Sequence, residues 1–177
     1  MSTLLAHLGR EHCPVAELSQ LLARHSGRRE FASELIAVLP QLDPETTHRA
    51  AWLLRQLAAD HPLDERDLAR IAEQTDASDH WLFRLTYCQF WAETACPPPL
   101  RDQVFPYLQL CAADRRVIVR AWALSAMLHF QSDRAYRKQV RVSLRTAQRD
   151  PSKAMQARLR QLAAKGLVPP ETLSPAC

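Results

Sequence analysis

The sequence predicts an all-α protein, and three observations support this fold class. The chain of 177 residues has only three glycines, whereas Ala, Leu, Arg and Gln, which lose little side-chain freedom in a helix, are abundant. Apolar residues recur at helical spacing, as at Val119, Ala123 and Met127. Helix-breaking residues divide the chain into short segments, and none of these segments shows the alternation that predicts a strand.

The breaking residues also set the order of the predicted helices. They are Pro14, Gly27, Pro44, Pro62, the run Pro97 to Pro99, Pro151 and the pair Pro169 and Pro170. Between them we expect nine helices, near residues 14–25, 28–41, 44–60, 64–75, 79–95, 100–112, 115–130, 133–148 and 151–165.

A pattern recurs ahead of every second predicted helix. Residues suited to cap a helix stand there at separations of 35, 36 and 36 positions, namely Asp43, Ser78, Asp114 and Asp150. Their side-chain oxygens can accept hydrogen bonds from the unpaired N–H groups of the first turn. Six residues after each of them come Arg49, Arg84, Arg120 and Gln156. The pattern therefore predicts a helix pair that is repeated about four times.

This unit resembles the HEAT repeat, a helix pair with an Asp in its inner turn and a Val-Arg pair five and six residues later. Residues 100–130 match best, because Asp114 is followed by Val119 and Arg120. The other copies are degenerate: His48 stands for Val in one, and Ser78 and Gln156 replace Asp and Arg in two others.

The resemblance implies a short right-handed α-solenoid of about four to five helix pairs. Residues 28–166 would form the repeats, and residues 1–27 an N-terminal capping element of the kind that such stacks need. Residues 167–177 follow a helix stop at Gly166 and are expected to be a disordered tail. In HEAT proteins the Asp and Arg form a polar ladder between neighbouring repeats. The resemblance implies this structural role for Asp43, Arg49, Arg84, Asp114, Arg120 and Asp150.

Patterns that indicate catalysis or cofactor binding are absent from the sequence. It contains no glycine-rich phosphate loop, no H-E-x-x-H or G-x-S-x-G motif and no regular metal-ligand spacing. Five scattered cysteines without a C-x-x-C pair favour buried free thiols. No apolar stretch approaches the roughly 20 residues of a membrane span, and the first residues lack the apolar core of a signal peptide. We therefore expect a cytoplasmic protein that is not an enzyme and uses no cofactor or metal.

Positive charge is concentrated near the C-terminus. Residues 131–165 hold ten basic and two acidic residues, whereas residues 1–130 hold 13 basic and 16 acidic ones. Several of the cations recur at steps of three and four, which places them on one helix face. An acidic protein or another polyanion would relieve their mutual repulsion; a solvated face is the simpler alternative. The candidate binding cations are Arg134, Lys138, Arg141, Arg145 and Lys153.

Trp122 is a further candidate binding residue. Val119 and Ala123 already occupy the buried positions of its predicted helix, so the indole is available for stacking on a ligand. The alternative is that Trp122, like Trp52, Trp81 and Trp91, fills the layer between helices.

The leading hypothesis is a small helical-repeat binding module or scaffold that recognises a protein partner, one with acidic character, through its concave or basic surface. An alternative is nucleic-acid binding through the basic C-terminal helices. A third hypothesis is a DNA glycosylase, because one HEAT-like family removes alkylated bases with an Asp and aromatic residues. Those enzymes are longer and their active-site pattern is not matched here, so fold analogy alone supports this hypothesis.

Overall fold

The computed structural model describes residues 6, 8, 9, 13–28, 30–43, 46–76 and 79–168, and nine α-helices have their bounds within residues 13–168 of these ranges. No strand occurs within these ranges, so the predicted all-α class is confirmed. The helices are α1 (Val15–His25), α2 (Phe31–Val38), α3 (Thr47–Asp60), α4 (Glu65–Ala72), α5 (Trp81–Glu93), α6 (Arg101–Ala112), α7 (Val117–Met127), α8 (Arg137–Gln148) and α9 (Lys153–Ala164).

Each predicted helix has an observed counterpart, and the differences lie at the ends. Short 3₁₀ turns continue α2 over Leu39–Gln41, α4 over Glu73–Asp76 and α7 over Leu128–Phe130. Such turns satisfy the last carbonyl groups of a helix with tighter hydrogen bonds. The sequence pattern does not distinguish them from α-helix, because the side chains still return to the same face.

The acids in the turns lie further from their helices than the sequence predicts. α7 begins at Val117, and Asp114 Oδ1 accepts a hydrogen bond from the backbone N–H of Arg116 at 2.8 Å. α3 begins at Thr47, and Asp43 Oδ1 accepts from the N–H of Thr46 at 3.0 Å. These carboxylates therefore close the turn that leads into the helix. Ser78, the third predicted cap, lies outside the described residues.

At α9 the prediction that Asp150 is the N-cap is wrong. Asp150 Oδ1 accepts from the N–H of Ser152 at 2.9 Å, and Ser152 is the cap, since its Oγ accepts from the N–H of Met155 at 3.3 Å. Pro151 consequently lies in the turn and not at the first helical position. Asp150 thus closes the turn and Ser152 caps the helix, whereas the sequence pattern predicts Asp150 alone at this helix start.

The odd-numbered helices form one row in which each packs against the next, from α1 to α3, α5, α7 and α9. On the other side α2 packs against α4, and the 3₁₀ turn after α4 packs against α6. The start of α6 reaches the turn before α8, where the Tyr136 hydroxyl donates to Asp102. Within the described residues, every extensively packed pair of helices lies within two positions in chain order.

One continuous core runs between these elements. Phe31, Phe83, Trp91 and Phe130 are among its fully buried side chains and come from successive parts of the chain. Burial of apolar area of this kind is the main stabilising contribution to such a fold. The core therefore extends along the whole row of helices.

Both ends of the described chain join this core. Leu18 and Leu21 of α1, within the predicted capping element, are buried. Gly166, at φ 70°, ends α9 as the sequence predicts, and the N–H of Leu167 bonds to the carbonyl of Leu162 at 3.0 Å. Val168 is buried beyond it, so the first residues of the expected tail pack on the fold. Residues 169–177, including Cys177, lie outside the described ranges.

Candidate partner-binding surface

Helix α8 turns most of its surface to solvent. Among its 12 residues only Val140 and Ala147 are buried, and they stand seven positions apart, which is two helical turns. A narrow apolar stripe thus anchors the helix to the core. The remaining surface is available for charged side chains.

Most of the predicted cations lie on this solvent side. Lys138, Arg141 and Arg145 are exposed on α8, and Arg149 is exposed at its C-terminal end. At about 100° of rotation per residue, these four side chains fall within an arc of about 80°. We call them the basic face. Arg134 is also exposed, but it lies in the turn before α8, so the predicted stripe does not begin there.

Neighbouring arginines differ from the basic face because they have partners. Arg101 Nη1 lies 2.9 Å from Asp133 Oδ2, and Arg137 donates to the carbonyls of Gln131 and Ser132 at 3.2 and 2.9 Å. The N–H of Ala135 and the Arg101 guanidinium together lower the pKa of Asp133. Within the described ranges, no side chain of the basic face forms an ion pair. Its positive charge is therefore available to a partner.

The other two predicted binding residues lie on other helices. Lys153 is exposed at the first position of α9. Trp122, on α7, is partly buried, and the Arg158 guanidinium lies 3.7 Å from its ring centroid. Arg158 is fixed there by a hydrogen bond from Nε to Ser125 Oγ at 2.6 Å, and burial lowers its pKa. One face of the indole is thus covered by a cation–π contact between α7 and α9.

Two of the implied ladder arginines connect one turn to the next. Arg84 Nη1 lies 3.2 Å from Asp114 Oδ2, and Arg120 Nη2 lies 2.6 Å from Asp150 Oδ2. Both pairs join residues 30 positions apart. Burial lowers the pKa of Arg84, but its hydrogen bonds to Asp79 and Asp114 outweigh this effect, and the net shift is upward.

The first and last copies of the pattern are built differently. Arg49 Nη1 donates to the carbonyl of Leu8 at 2.9 Å, which ties the N-terminal segment to α3. Gln156, in the place of the fourth arginine, donates from Nε2 to the carbonyl of Asp150 at 2.8 Å. It thereby fastens the turn before its own helix, as Arg120 does at the carbonyl of Asp114.

Sequence reasoning did not single out Val142, which is 56% exposed on α8. A usable signal exists, because Val142 lies off the stripe that buries Val140 and Ala147. An exposed apolar side chain on a helix is a better indicator of a binding surface than a buried one, because every core contains buried apolar residues. At 100° per residue, Val142 borders the basic face directly.

Most of the cysteines among the described residues are shielded from solvent. Cys88, Cys96 and Cys111 are buried, and burial raises the pKa of the Cys96 thiol to about 11, which keeps it protonated at neutral pH. In the same ranges, no group of three or more His, Cys, Asp and Glu side chains is arranged to hold a metal ion. None of the described helices has the length and apolar character to cross a bilayer.

No protein-family model, curated protein or solved structure matches the chain significantly. Its function is therefore inferred from the residues and contacts described above.

Proposed function

We propose that this chain is a HEAT-like α-solenoid that acts as a non-enzymatic binding module, and that it recognises an acidic protein partner through the basic face of α8. The observation that carries the proposal is the set of exposed cations Lys138, Arg141, Arg145 and Arg149 on one side of a single helix, none of which forms an ion pair with a described residue.

The repeat spacing supports the solenoid part of the proposal. α3, α5, α7 and α9 begin at residues 47, 81, 117 and 153, which is a step of 34 to 36 residues. The two ion pairs of Arg84 and Arg120 repeat at the same step. Packing between neighbours in chain order is what a stack of repeats requires.

The charge pattern supports the choice of an acidic partner. Like charges three and four residues apart destabilise a helix by a few tenths of a kcal/mol per pair. Lys138, Arg141 and Arg145 have this spacing. Carboxylates of a partner would remove the repulsion and steer association.

Affinity capture from the native host tests the proposal with two charge-matched variants. One is Arg141→Glu with Arg145→Glu on the basic face; the control is Arg24→Glu with Arg66→Glu, at two exposed arginines of α1 and α4. We expect the wild-type chain and the control to retain the same acidic protein after nuclease treatment and the basic-face variant to lose it. Equal capture by both variants would refute the proposal.

Nucleic-acid binding is the second candidate, because residues 131–165 carry ten basic and two acidic residues. In its favour, a row of cations on one helix can follow a phosphate backbone. It predicts that a fluorescent duplex or single strand binds at ~50 mM salt and loses affinity steeply by ~200 mM. No binding at ~50 mM salt removes this candidate.

A further inference from the structure

A cleft of about 170 Å³ opens beside α8, on the side of Val142 that faces away from the basic face. Its apolar lining includes Leu124 of α7, Ala147 of α8 and Met155 of α9, and Val142 stands at its edge. An apolar cavity of about 150 Å³ holds a molecule of the size of benzene. The cleft therefore has room for one bulky apolar side chain.

The helical geometry of α8 puts the cleft and the basic face side by side. Taking Val142 as zero, the cleft residues Thr146, Ser143 and Ala147 lie at about 40°, 100° and 140° around the helix. The four cations lie on the opposite side of Val142, at about 20° to 100°. A segment laid across Val142 would meet apolar surface on one side and positive charge on the other.

The two charged side chains of the cleft lining, Arg120 and Asp150, are already paired with each other. Arg120 contributes Nη2 to Asp150 at 2.6 Å and Nη1 to the carbonyls of Asp114 and Arg115 at 2.9 and 3.1 Å. Because this guanidinium has its partners, the cleft does not require a charged group to enter it. An apolar side chain suits it better.

We propose that the cleft holds one bulky apolar side chain of an acidic protein segment whose carboxylates pair with Lys138, Arg141 and Arg145. The proposal rests on the proposed function and adds the anchor that gives the segment its position. Charge supplies attraction across the basic face, and the buried side chain fixes the register.

Fluorescence anisotropy with the full chain at ~50 mM salt tests the anchor. The probes are two labelled Glu-rich peptides, alike except that one has a central Leu where its twin has Ala. We expect the Leu peptide to bind roughly tenfold more tightly. Arg141→Glu with Arg145→Glu should weaken both peptides, because it removes the charge that they share.

A cleft-filling variant separates the two contributions. Ser143→Phe adds bulk to the cleft without changing charge, so it should remove the advantage of Leu and leave the Ala twin unaffected. Ser19→Phe, at an exposed serine of α1, is the matched control. If Ser143→Phe does not fold, Val142→Ser at the exposed edge of the cleft serves as a second variant. It should also reduce the Leu advantage.

The outcomes distinguish the cleft from the proposed function. Equal binding of the two peptides, or a Leu advantage that survives both cleft variants, refutes the anchor and leaves the basic face as a charged binding surface. Failure of both peptides to bind refutes the anchor, while the capture experiment decides the proposed function separately. A single-stranded oligonucleotide that binds more tightly than either peptide would assign the surface to nucleic acid instead.

Discussion

Arg120 shows how one side chain joins neighbouring parts of this fold. Its guanidinium reaches back to the carbonyls of the turn before α7 and forward to Asp150 in the turn before α9. The side chains of Arg120 and Asp150 are 25% and 12% exposed, so their charges are only partly screened by water. Loss of the arginine would leave Asp150 in a largely buried position without its cation.

Arg120→Ala should therefore destabilise the chain by about 2 kcal/mol, which lies within the range for a hydrogen-bonded charged group that is not fully buried. The free energy of unfolding in urea measures the loss. The control is Arg66→Ala, at an exposed site of α4, which should change stability by less than about 0.5 kcal/mol. Equal effects of the two substitutions would show that the Arg120 contacts contribute nothing.

The same ion pair gives stability a dependence on pH. Burial of Asp150 opposes its ionisation, but hydrogen bonds from Arg120 and Ser152 outweigh burial and lower its pKa in the folded state. Ionised Asp150 therefore stabilises the fold above its unfolded pKa of about 3.9. This stabilisation is lost as the pH falls through the folded pKa.

Asp150→Asn should remove this dependence. The stability difference between wild type and variant should be constant from about pH 5 to pH 8 and should shrink below about pH 4. Chemical unfolding at a series of pH values measures it, with Asp60→Asn at an exposed site as the control. A difference that persists unchanged at low pH would contradict the role given to the carboxylate.

Sequence spacing could place Arg84 and Arg120 at equivalent positions of their helices, because they stand 36 residues apart, each six residues after a potential capping residue. It could not show that Arg158 covers Trp122. That contact depends on the rotation of α9 against α7, which single-sequence periodicity does not define. The exposure of Val142 likewise depends on the rotation of α8 against its neighbours.

Helix α9 starts without acidic side chains in its first turn. It begins with a Lys, so the helix dipole receives no help from side-chain charge there. Its start depends instead on Ser152, whose Oγ accepts from the N–H of Met155, and on Asp150, which holds Ser152 in place. The cap should therefore contribute measurably to stability.

Ser152→Ala should cost about 1 kcal/mol of unfolding free energy, because one N–H group of the first turn loses its acceptor. Thermal or urea unfolding measures the change. The control is Ser132→Ala, at an exposed serine. Its backbone carbonyl accepts from Arg137, and the substitution keeps that carbonyl, so it should be close to neutral. A neutral Ser152→Ala would mean that water replaces the cap without loss.

Helix positions were predictable because breaking residues bound nearly every segment. The exact starts were not predictable. Asp43, Asp114 and Asp150 are good capping residues, but they lie three or four positions before the first helical residue and close the turn there. Residue type alone does not separate these two uses of an Asp. The positive charge of the α8 surface was predictable from the sequence. The presence of the exposed Val142 beside the basic face became apparent only from the structure.

Across the molecule, several side-chain hydrogen bonds join parts of the chain that lie about 30 to 38 residues apart. Side-chain hydrogen bonds link Ser33 to Asp67 over 34 residues, Arg84 to Asp114 over 30 and Arg158 to Ser125 over 33. These separations are close to the 34 to 36 residues between the starts of alternate helices. If stability arises mainly between neighbours, a perturbation at one end should have a limited range.

Native-state hydrogen exchange on Leu159→Ala and Leu35→Ala tests the proposed solenoid. Both leucines are fully buried, one in α9 and one in α2, and each substitution should cost about 3 kcal/mol. We expect Leu159→Ala to speed exchange mainly in α7 to α9 and Leu35→Ala to speed it mainly in α1 to α4. Equal acceleration of every helix by both variants would contradict a stack of repeats and would indicate a single cooperative bundle.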